Sequence, residues 1–327
     1  MLLKLVPDNT TIPFTKWRHV VIMISAALVV ASIAAVATLG LNYGVDFRGG
    51  VTIEVAGKQP IDIGAVRSAV TALGLGDVKV QAIQDFAGGE EGVVVFVEQQ
   101  EAAADNQESS DESKGHEIAQ QRASQQVQDA LRKLLGEDID FRKIDVVGPT
   151  VSGELIQRGA LAVALAIGMM LIYIWFRFEW QFSLGSIVAL VHDVIITLGM
   201  FAVTRLEFNL AIIAAILTIV GYSMNDTVIV YDRIRENLRK YKKRPLIELI
   251  DLSINDTLSR TVMTSGTTLL TLIALYVIGG EVLRGFTFAM IWGIVIGTYS
   301  SVFVAAPFLL ATGVKQERSK EPATAAG

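Results

Sequence analysis

The chain has 327 residues, of which 52% are apolar and 19% are charged, whereas soluble domains are usually about 45–50% apolar and about 25% charged. The 28 Lys and Arg residues against 33 Asp and Glu residues give a net charge of −5, so no basic excess is available to bind the phosphate backbone of a nucleic acid. The absence of Cys excludes disulfides, thiolate metal sites and a Cys nucleophile, and the three His residues lack metal-ligand spacing, so no metal or cofactor is expected.

Six apolar segments dominate the sequence, and each is about as long as a membrane is thick. A helix rises about 1.5 Å per residue, so about 20 residues cross a hydrocarbon core of about 30 Å. The sequence therefore predicts a polytopic α-helical membrane protein with six transmembrane helices. The second segment is at the short limit and is expected to gain a turn from the residues before it. The segments occupy residues 20–39, 160–176, 184–204, 210–231, 261–278 and 285–314.

The first apolar segment has two interpretations. It resembles a signal peptide in that Ala35-Val36-Ala37 fits a small-x-small cleavage site. However, the apolar stretch exceeds the usual length of about 7–15 residues for a signal peptide. It also follows 19 other residues. We therefore favour an uncleaved membrane anchor.

The distribution of Lys and Arg predicts the orientation, because cytoplasmic loops carry an excess of both. Basic residues concentrate in the two tails and in residues 232–260, whereas the opposite short loops carry Arg205 and Arg284. Both termini are therefore expected in the cytoplasm, and 232–260 is expected to be a basic cytoplasmic loop. Within it we expect a basic helix, then Pro245, then a second, amphipathic helix at 246–258 lying on the membrane surface. The expected parts are a tail over 1–19, the first helix over 20–40, an extracytoplasmic domain over 41–157, a five-helix bundle over 158–314 and a tail over 315–327.

Residues 41–157 are expected to form one soluble domain, and they include 20 acidic and 10 basic residues. The acidic segment 99–114 is expected to be disordered. The elements follow the order βαββαβ, which predicts a ferredoxin-like α+β fold. Such a fold assigns no function by itself. The apolar spacing indicates strands at 50–56, 78–83, 92–97 and 138–147 and helices at 61–73 and 117–135.

A glycine-rich turn motif stands where the first helix leaves the membrane. It is not a dinucleotide-binding fingerprint, because no strand precedes it and a strand, not a helix, follows it. From the residues alone, we expect a tight turn into the sheet, with Asp46 and Arg48 in solvent. The motif residues are Gly44, Asp46, Phe47, Gly49 and Gly50.

Asp226 is an ionisable residue inside the fourth apolar segment, where a charge costs several kcal/mol. Tyr222 and Ser223 precede it by four and three residues, so the three residues are expected to form a polar stripe on one helix face. Burial and a nearby cation change the proton affinity of a carboxylate in opposite directions, so Asp226 can exchange a proton near neutral pH. The alternative is a structural Asp held by neighbouring hydroxyls.

Three further ionisable residues lie within or beside the spans. His192 and Asp193 are near the centre of the third segment, and they are not expected to face the same way because successive helical residues point about 100° apart. A structural role between helices is the alternative for this pair. Arg260 begins the fifth span, either as a counter-charge to Asp226 or as a snorkelling Arg at the surface. Small and hydroxyl residues follow it and can line a hydrated path.

Several motifs resemble the SecD/SecF family of bacterial protein-export membrane proteins, which is related to the resistance–nodulation–division transporters. The most specific motif is residues 220–237, VGYSMNDTVIVYDRIREN. Three further matches are the turn motif 44–50, residues 191–194 (VHDV), and residues 258–261 (LSRT) leading into 264–268 (TSGTT).

The resemblance implies that the chain works with SecD in the bacterial inner membrane and uses the proton gradient, or sodium in some members, to draw an unfolded preprotein outward from SecYEG. YajC and YidC are further candidate partners, and lipid surrounds the helices. The transported ion replaces a cofactor, and no enzymatic activity is expected. The resemblance assigns the coupling to Asp226 and Arg260. Supporting polar residues in the membrane are His192, Asp193, Tyr222, Ser223, Asn225, Thr227, Thr264 and Ser265.

Three other functions stay open at this point. A half-size proton-coupled transporter of the resistance–nodulation–division type, exporting a small or lipidic substrate, is the first alternative. Six helices and one soluble domain look like half of a pseudo-symmetric object, so a partner carrying the other half is expected. A membrane-bound enzyme is disfavoured by the lack of an obvious nucleophile or phosphate motif. A purely structural assembly factor would differ in showing no dependence on protons.

Overall fold

The computed structural model describes residue 7 and residues 10–57, 61–84, 91–98, 112–136 and 139–314. The helices are α1 (Arg18–Leu39), α2 (Val45–Arg48), α3 (Ile63–Thr71), α4 (Glu112–Leu135), α5 (Pro149–Arg177), α6 (Trp180–Thr204), α7 (Leu210–Lys240), α8 (Leu246–Ile278), α9 (Glu281–Ser300) and α10 (Ala306–Thr312). The strands are β1 (Asn42–Tyr43), β2 (Gly50–Gly57), β3 (Val78–Gln84), β4 (Glu91–Val97), β5 (Ile139–Val147) and β6 (Glu207–Phe208). A 3₁₀ turn at Phe14–Trp17 precedes α1, and a π-helical turn at Ser301–Ala305 joins α9 to α10.

Six helical segments within the described residues are long and apolar enough to cross a membrane, as the sequence predicts. They are the segments containing α1, α5, α6, α7 and α8, and a last span in which α9, the π-helical turn and α10 are continuous. Helix α5 begins at Pro149, so the predicted boundary at 157/158 lies inside a helix. Proline suits the first helical turn because that position needs no amide donor.

The spans form a bundle with α6, α7 and α9 at its centre. Half or more of the most apolar stretch of the α6, α7 and last spans is buried, whereas almost none of that of α1 and α5 is buried. Helix α1 packs against α6, while α8 packs against both α7 and α9. Two apolar clusters fill the bundle, one at each end of it. The exposed apolar faces of the outer helices suit contact with lipid or with another membrane protein.

The soluble domain has the predicted element order. Its sheet is antiparallel throughout, in the order β3-β4-β2-β5. Valines alternate along the strands, and on one face they pack against apolar residues of α3 and α4 to form the domain core. The opposite face carries Thr52, Glu54, Gln81 and Phe96, which line cavities against the end of the helix bundle.

The cytoplasmic loop predicted at 232–260 is mostly helical in the structure. Helix α7 continues to Lys240 and α8 begins at Leu246, so a short connection at 241–245 separates them. The predicted separate surface helix at 246–258 is wrong, because α8 runs without interruption from Leu246 to Ile278. Pro245 sits just before the helix, and no proline breaks it. At about 1.5 Å per residue, α7 and α8 are each about 45–50 Å long and extend beyond a hydrocarbon core.

The segment before α1 is hydrogen-bonded to the N-terminal part of α8. The backbone N–H and the side-chain hydroxyl of Thr15 both donate to the Asp251 carboxylate, at 2.8 and 2.7 Å. Asn255 exchanges two hydrogen bonds with the backbone of Ile12, at 3.0 and 2.9 Å. The predicted tail at 315–327 and most of the acidic segment 99–114 lie outside the described residues. Within that segment, 112–114 already belong to α4, which begins earlier than predicted.

Candidate functional site

Asp226 lies in the middle of the bundle, on α7, and 3% of its surface is exposed. Helix α7 forms because residues 210–231 are almost continuously apolar and because Asn209 caps its first turn by accepting from the Ile212 N–H. One carboxylate oxygen of Asp226 accepts from the Thr261 hydroxyl at 2.8 Å, and the other accepts from the Ser301 hydroxyl at 2.9 Å. The carboxylate therefore connects α7 to α8 and to the last span.

Arg260 does not contact Asp226 directly. Its side chain is exposed, and no ion pair within 4.0 Å joins it to another residue of the described chain. Its positive charge nevertheless interacts electrostatically with the Asp226 carboxylate. The arrangement follows from helix geometry, because successive residues point about 100° apart and Thr261 occupies the face turned toward α7. The predicted counter-charge is thus beside the site, and hydroxyl groups make the contacts.

Asp193 is a second buried carboxylate, on α6, with no exposed surface. Its Oδ2 accepts from the hydroxyls of Ser223 at 2.6 Å and of Ser300 at 2.7 Å. Its Oδ1 lies 2.9 Å from Nδ1 of His192. The prediction that His192 and Asp193 face different ways is wrong, because the side chains bend toward each other although their Cα–Cβ bonds diverge. The His192 ring also stacks on Tyr299, with ring centroids 6.1 Å apart.

The polar stripe predicted on α7 is divided between two sites. Ser223 bonds to Asp193 and not to Asp226, and the Tyr222 hydroxyl has no partner in the part of the chain that the structure describes. Asn225 is exposed and Thr227 is buried. The two sites therefore share helix α7, one turn apart.

Two other predicted residues lie along α8. The Thr264 hydroxyl donates to the carbonyl oxygen of Arg260 in its own helix, at 3.0 Å, and Thr264 is exposed. The Ser265 hydroxyl is 2.8 Å from that of Thr298, which ties α8 to α9. Sequence reasoning missed Thr298, Ser300 and Ser301. The signal that could have identified them is a run of four hydroxyl residues, 298–301, in an otherwise apolar span.

The turn motif links the soluble domain to the start of α7. Strand β1 pairs in parallel with β6, and Oδ2 of Asp46 accepts from the Leu210 N–H at 2.9 Å. The motif turns into β2 through the four-residue helix α2, and Arg48 is exposed as expected. The expectation of Asp46 in solvent is wrong, because Asp46 is half-buried and stabilises the first turn of another helix. The Phe47 ring packs against the Phe208 ring, with the two ring centroids 6.0 Å apart.

Backbone conformation and lack of space for a Cβ explain the glycines of the motif. Gly49 and Gly50 have φ angles of 70° and 122°, which residues with a Cβ rarely adopt. A Cβ on Gly44 would collide with the side chain of Glu207 on β6. A larger residue at position 44 would therefore require the Glu207 side chain to move.

Charged residues cluster at this junction, outside the membrane spans. Burial raises the pKa of Glu207, the charges of Asp46 and Asp145 add to the rise, and Lys143 opposes it. Desolvation acts to lower the pKa of Lys143, but its hydrogen bond and ion pair with Asp145, at 2.6 Å, outweigh this and raise it. Glu207 and Lys143 also line a cavity of about 590 Å³ between the domain and the bundle.

Comparison with known proteins identifies the family. Residues 126–315 match the family model described as protein export membrane protein SecD/SecF, C-terminal, and residues 34–61 match the SecD/SecF GG motif. The chain belongs to the SecD/SecF family. It is 46% identical over 325 residues to the protein translocase subunit SecF of Cereibacter sphaeroides, covering 99% of this chain and 96% of that protein. It is 43% identical over 321 residues to the SecF of Rhodobacter capsulatus, covering 98% and 94%.

SecD/SecF proteins of known structure share the fold. A SecDF crystal structure from Thermus thermophilus is similar with a TM-score of 0.79 and 32% identity over 94% of this chain. A SecDF in a super-membrane-facing form gives a TM-score of 0.61 at 33% identity over 95% of this chain. The chain spans 39% of the length of each. A protein translocase subunit SecDF of Brucella abortus is 42% identical, and the chain likewise spans 39% of it.

Proposed function

We propose that this chain acts as the SecF subunit of the SecDF complex in the bacterial inner membrane. There it uses the proton motive force to help move an unfolded preprotein outward from the SecYEG channel. Relatives named SecF match it over nearly their whole length, and the longer SecDF relatives contain its counterpart in one chain together with further sequence. Association with SecD as the other half of the complex follows from that arrangement.

The buried carboxylate of Asp226 carries the proposal of proton coupling. An ionised Asp inside a membrane span is costly, and it persists where donors satisfy its oxygens. The hydroxyls of Thr261 and Ser301 donate to the ionised form. Hydroxyls also accept hydrogen bonds, so the same groups can serve a protonated carboxyl. The nearby charge of Arg260 favours the ionised state, and protonation removes that attraction.

Each proton supplies a useful amount of energy. One charge crossing a potential of 100 mV releases about 2.3 kcal/mol. Protonation at Asp226 changes the contacts that hold α7 against α8 and the last span. Helix α7 starts at Leu210, whose N–H is bonded to Asp46 of the turn motif. A shift of α7 therefore pulls on the base of the soluble domain.

The soluble domain is proposed to be a ferredoxin-like unit outside the cytoplasm. The element order βαββαβ and the antiparallel strand order support that fold. Basic residues lie near the C-terminal end of α7 and just before the N-terminal end of α8, which is the end of the bundle away from the soluble domain. Because cytoplasmic loops are enriched in Lys and Arg, this distribution supports cytoplasmic termini. The two SecDF structures have nearly equal identity to this chain but different TM-scores, which supports a domain that changes position.

The experiment compares D226N with D232N in vesicles containing this chain and SecD, with SecYEG added for the export measurement. Asp232 lies on the same helix, but it is partly exposed and pairs with Arg177 at 2.8 Å, so it is a matched control. D226N is expected to insert and fold normally while losing proton flux and the stimulation of preprotein export. D232N is expected to retain both. Normal export by D226N would contradict the proposed function.

A further inference from the structure

Asp193 and the adjacent His192 form a buried pair of titratable groups. Asp193 is enclosed by its own helix, by α7 and by α9. The groups that face it are the hydroxyls of Ser223 and Ser300 and the imidazole of His192. In the described part of the chain, no Lys or Arg lies within ion-pair distance of it, so His192 is the one side chain in contact that can supply a positive charge.

His192 has an open position on its ring. Its Nδ1 is bonded to Asp193, whereas Nε2 is buried and has no hydrogen-bond partner among the described residues. The residue as a whole is 5% exposed. A buried imidazole nitrogen without a partner is costly and calls for an explanation. A water molecule at Nε2 would satisfy it, and such a water can also exchange a proton with the ring. The Tyr299 ring stacks on one face of the His192 ring, and the Tyr299 hydroxyl lies 2.8 Å from the Ser25 hydroxyl of α1.

Two adjacent serines connect this site to Asp226. Ser300 donates to Asp193, and Ser301, the next residue, donates to Asp226. Each hydroxyl has a second acceptor in its own helix: the Gly297 carbonyl oxygen lies 3.1 Å from the Ser300 hydroxyl, and that of Thr298 lies 2.9 Å from the Ser301 hydroxyl. A hydroxyl has one proton to donate, so it bonds to the carboxylate or to the carbonyl.

This geometry makes each serine sensitive to protonation. When a carboxylate takes up a proton, its new O–H can donate to the serine oxygen, and the serine can then turn its own proton to the carbonyl. Both serines lie at the junction of α9 with the π-helical turn Ser301–Ala305. Such turns are rare and frequent at functional sites. A change at Ser300 is transmitted to Ser301 because they are consecutive in one helix.

We infer that Asp193 and His192 form a second proton-binding site, coupled to Asp226 through Ser300 and Ser301. The inference rests on the proposed function. Ser223, which bonds to Asp193, precedes Asp226 by three residues, so the backbone positions of these two residues are about 4.5 Å apart along α7. Because α7 begins beside the soluble domain, Asp193 is on the domain side of Asp226. A proton entering from that side reaches Asp193 and His192 first, and no covalent bond other than those to hydrogen changes.

The experiment is infrared spectroscopy of the full chain with SecD in lipid vesicles, recorded as the pH is changed. The C=O stretch of a protonated carboxyl group reports each buried acid. We expect D193N to remove one component of this band and D226N to remove another. Asn keeps the size and hydrogen-bonding capacity of Asp but cannot titrate, so a merely structural Asp193 would leave proton flux unchanged in D193N. We expect flux to fall at least tenfold.

Coupling is tested by S300A, with S183A as the matched control. Ser183 is a buried serine of α6 whose hydroxyl bonds to backbone carbonyls and to no carboxylate. S300A is expected to move the titration midpoint of the Asp193 component by about one pH unit, because Ser300 donates to that carboxylate and a hydrogen bond to a charged group changes its proton affinity about tenfold. If the two sites are coupled through Ser301, the midpoint of the Asp226 component moves as well. S183A is expected to leave both midpoints in place. If D193N does not fold, H192N tests the same site through the pH profile of flux.

The outcomes separate the two proposals. An Asp193 component that never titrates, with normal flux in D193N or an unchanged pH profile in H192N, overturns the second site and leaves the proposed function standing. Normal flux in D226N contradicts the proposed function, and the infrared titration of Asp193 still decides the second site. An Asp226 midpoint that is unmoved in S300A overturns the coupling.

Discussion

The contact between α7 and α9 depends on two glycines, and replacing one of them gives a quantitative test. Gly293 and Gly297 are one helical turn apart on α9 and face Ile219 and Ser223 of α7. Small residues at this spacing allow helices in a membrane to approach closely. A Cβ on Gly297 would lie 2.8 Å from the Ser223 Cβ and 3.2 Å from its Cα.

The expected cost of G297A follows from these distances. Carbon atoms in favourable contact are about 3.5–4.0 Å apart, so the helices must separate by roughly 0.7–1.2 Å to relieve the 2.8 Å contact. Overpacking of this kind costs about 1–3 kcal/mol. The higher helix propensity of Ala offsets up to about 1 kcal/mol. We expect G297A to lower the free energy of unfolding by about 1–2 kcal/mol.

The assay is reversible unfolding of the purified chain in mixed detergent micelles, with G221A as the control. Gly221 is in α7, in the same pair of helices, and a Cβ there meets nothing within 4 Å. G221A is therefore expected to be neutral or slightly stabilising. If G297A unfolds with the same free energy as the unaltered chain, the two helices are not in the tight contact described above.

Three further predictions concern single hydrogen bonds and one buried acid. Because burial raises the pKa of Glu207, its protonated form favours folding at low pH, and this contribution is lost as the pH rises through the folded-state value. E207Q should flatten that decline in denaturant unfolding measured at several pH values. The Tyr231 hydroxyl donates to the Ala305 carbonyl at 2.9 Å, so Y231F should cost about 1 kcal/mol in the same assay. D46A should cost about 1 kcal/mol by removing the acceptor of the Leu210 N–H, and D46N should cost less.

The elements set by apolar periodicity could be predicted from the sequence. All six spans are confirmed, because about 20 apolar residues have few other stable arrangements. The element order of the soluble domain agrees as well, because its strands and helices have different periods. The end of α5 nearest the domain was misplaced, because its first turns combine polar and apolar residues and hydropathy does not mark where a helix leaves the membrane.

The contacts of the site could be predicted only in part. Asp226 and Asp193 can be identified as candidates from the sequence, because each is an ionisable residue inside an apolar segment. Which hydroxyls reach them depends on how each helix is rotated, and a shift of one residue turns a side chain by about 100°. That is why Thr261, rather than Arg260, meets Asp226. The position of the Ser301 hydroxyl depends in addition on the π-helical turn, which no residue pattern in the sequence predicts.

The attachment of the N-terminal segment to α8 has a consequence for biogenesis. Thr15 and Asn255 belong to contacts that join residues more than 230 positions apart. During synthesis, the first span reaches the bilayer long before the fifth exists, so its N-terminal end has no α8 to bind while most of the polypeptide is made. Such distant pairings form late. The chain closes its bundle only after the ribosome has passed α8, and a nascent chain truncated before that helix should expose its N-terminal residues to protease.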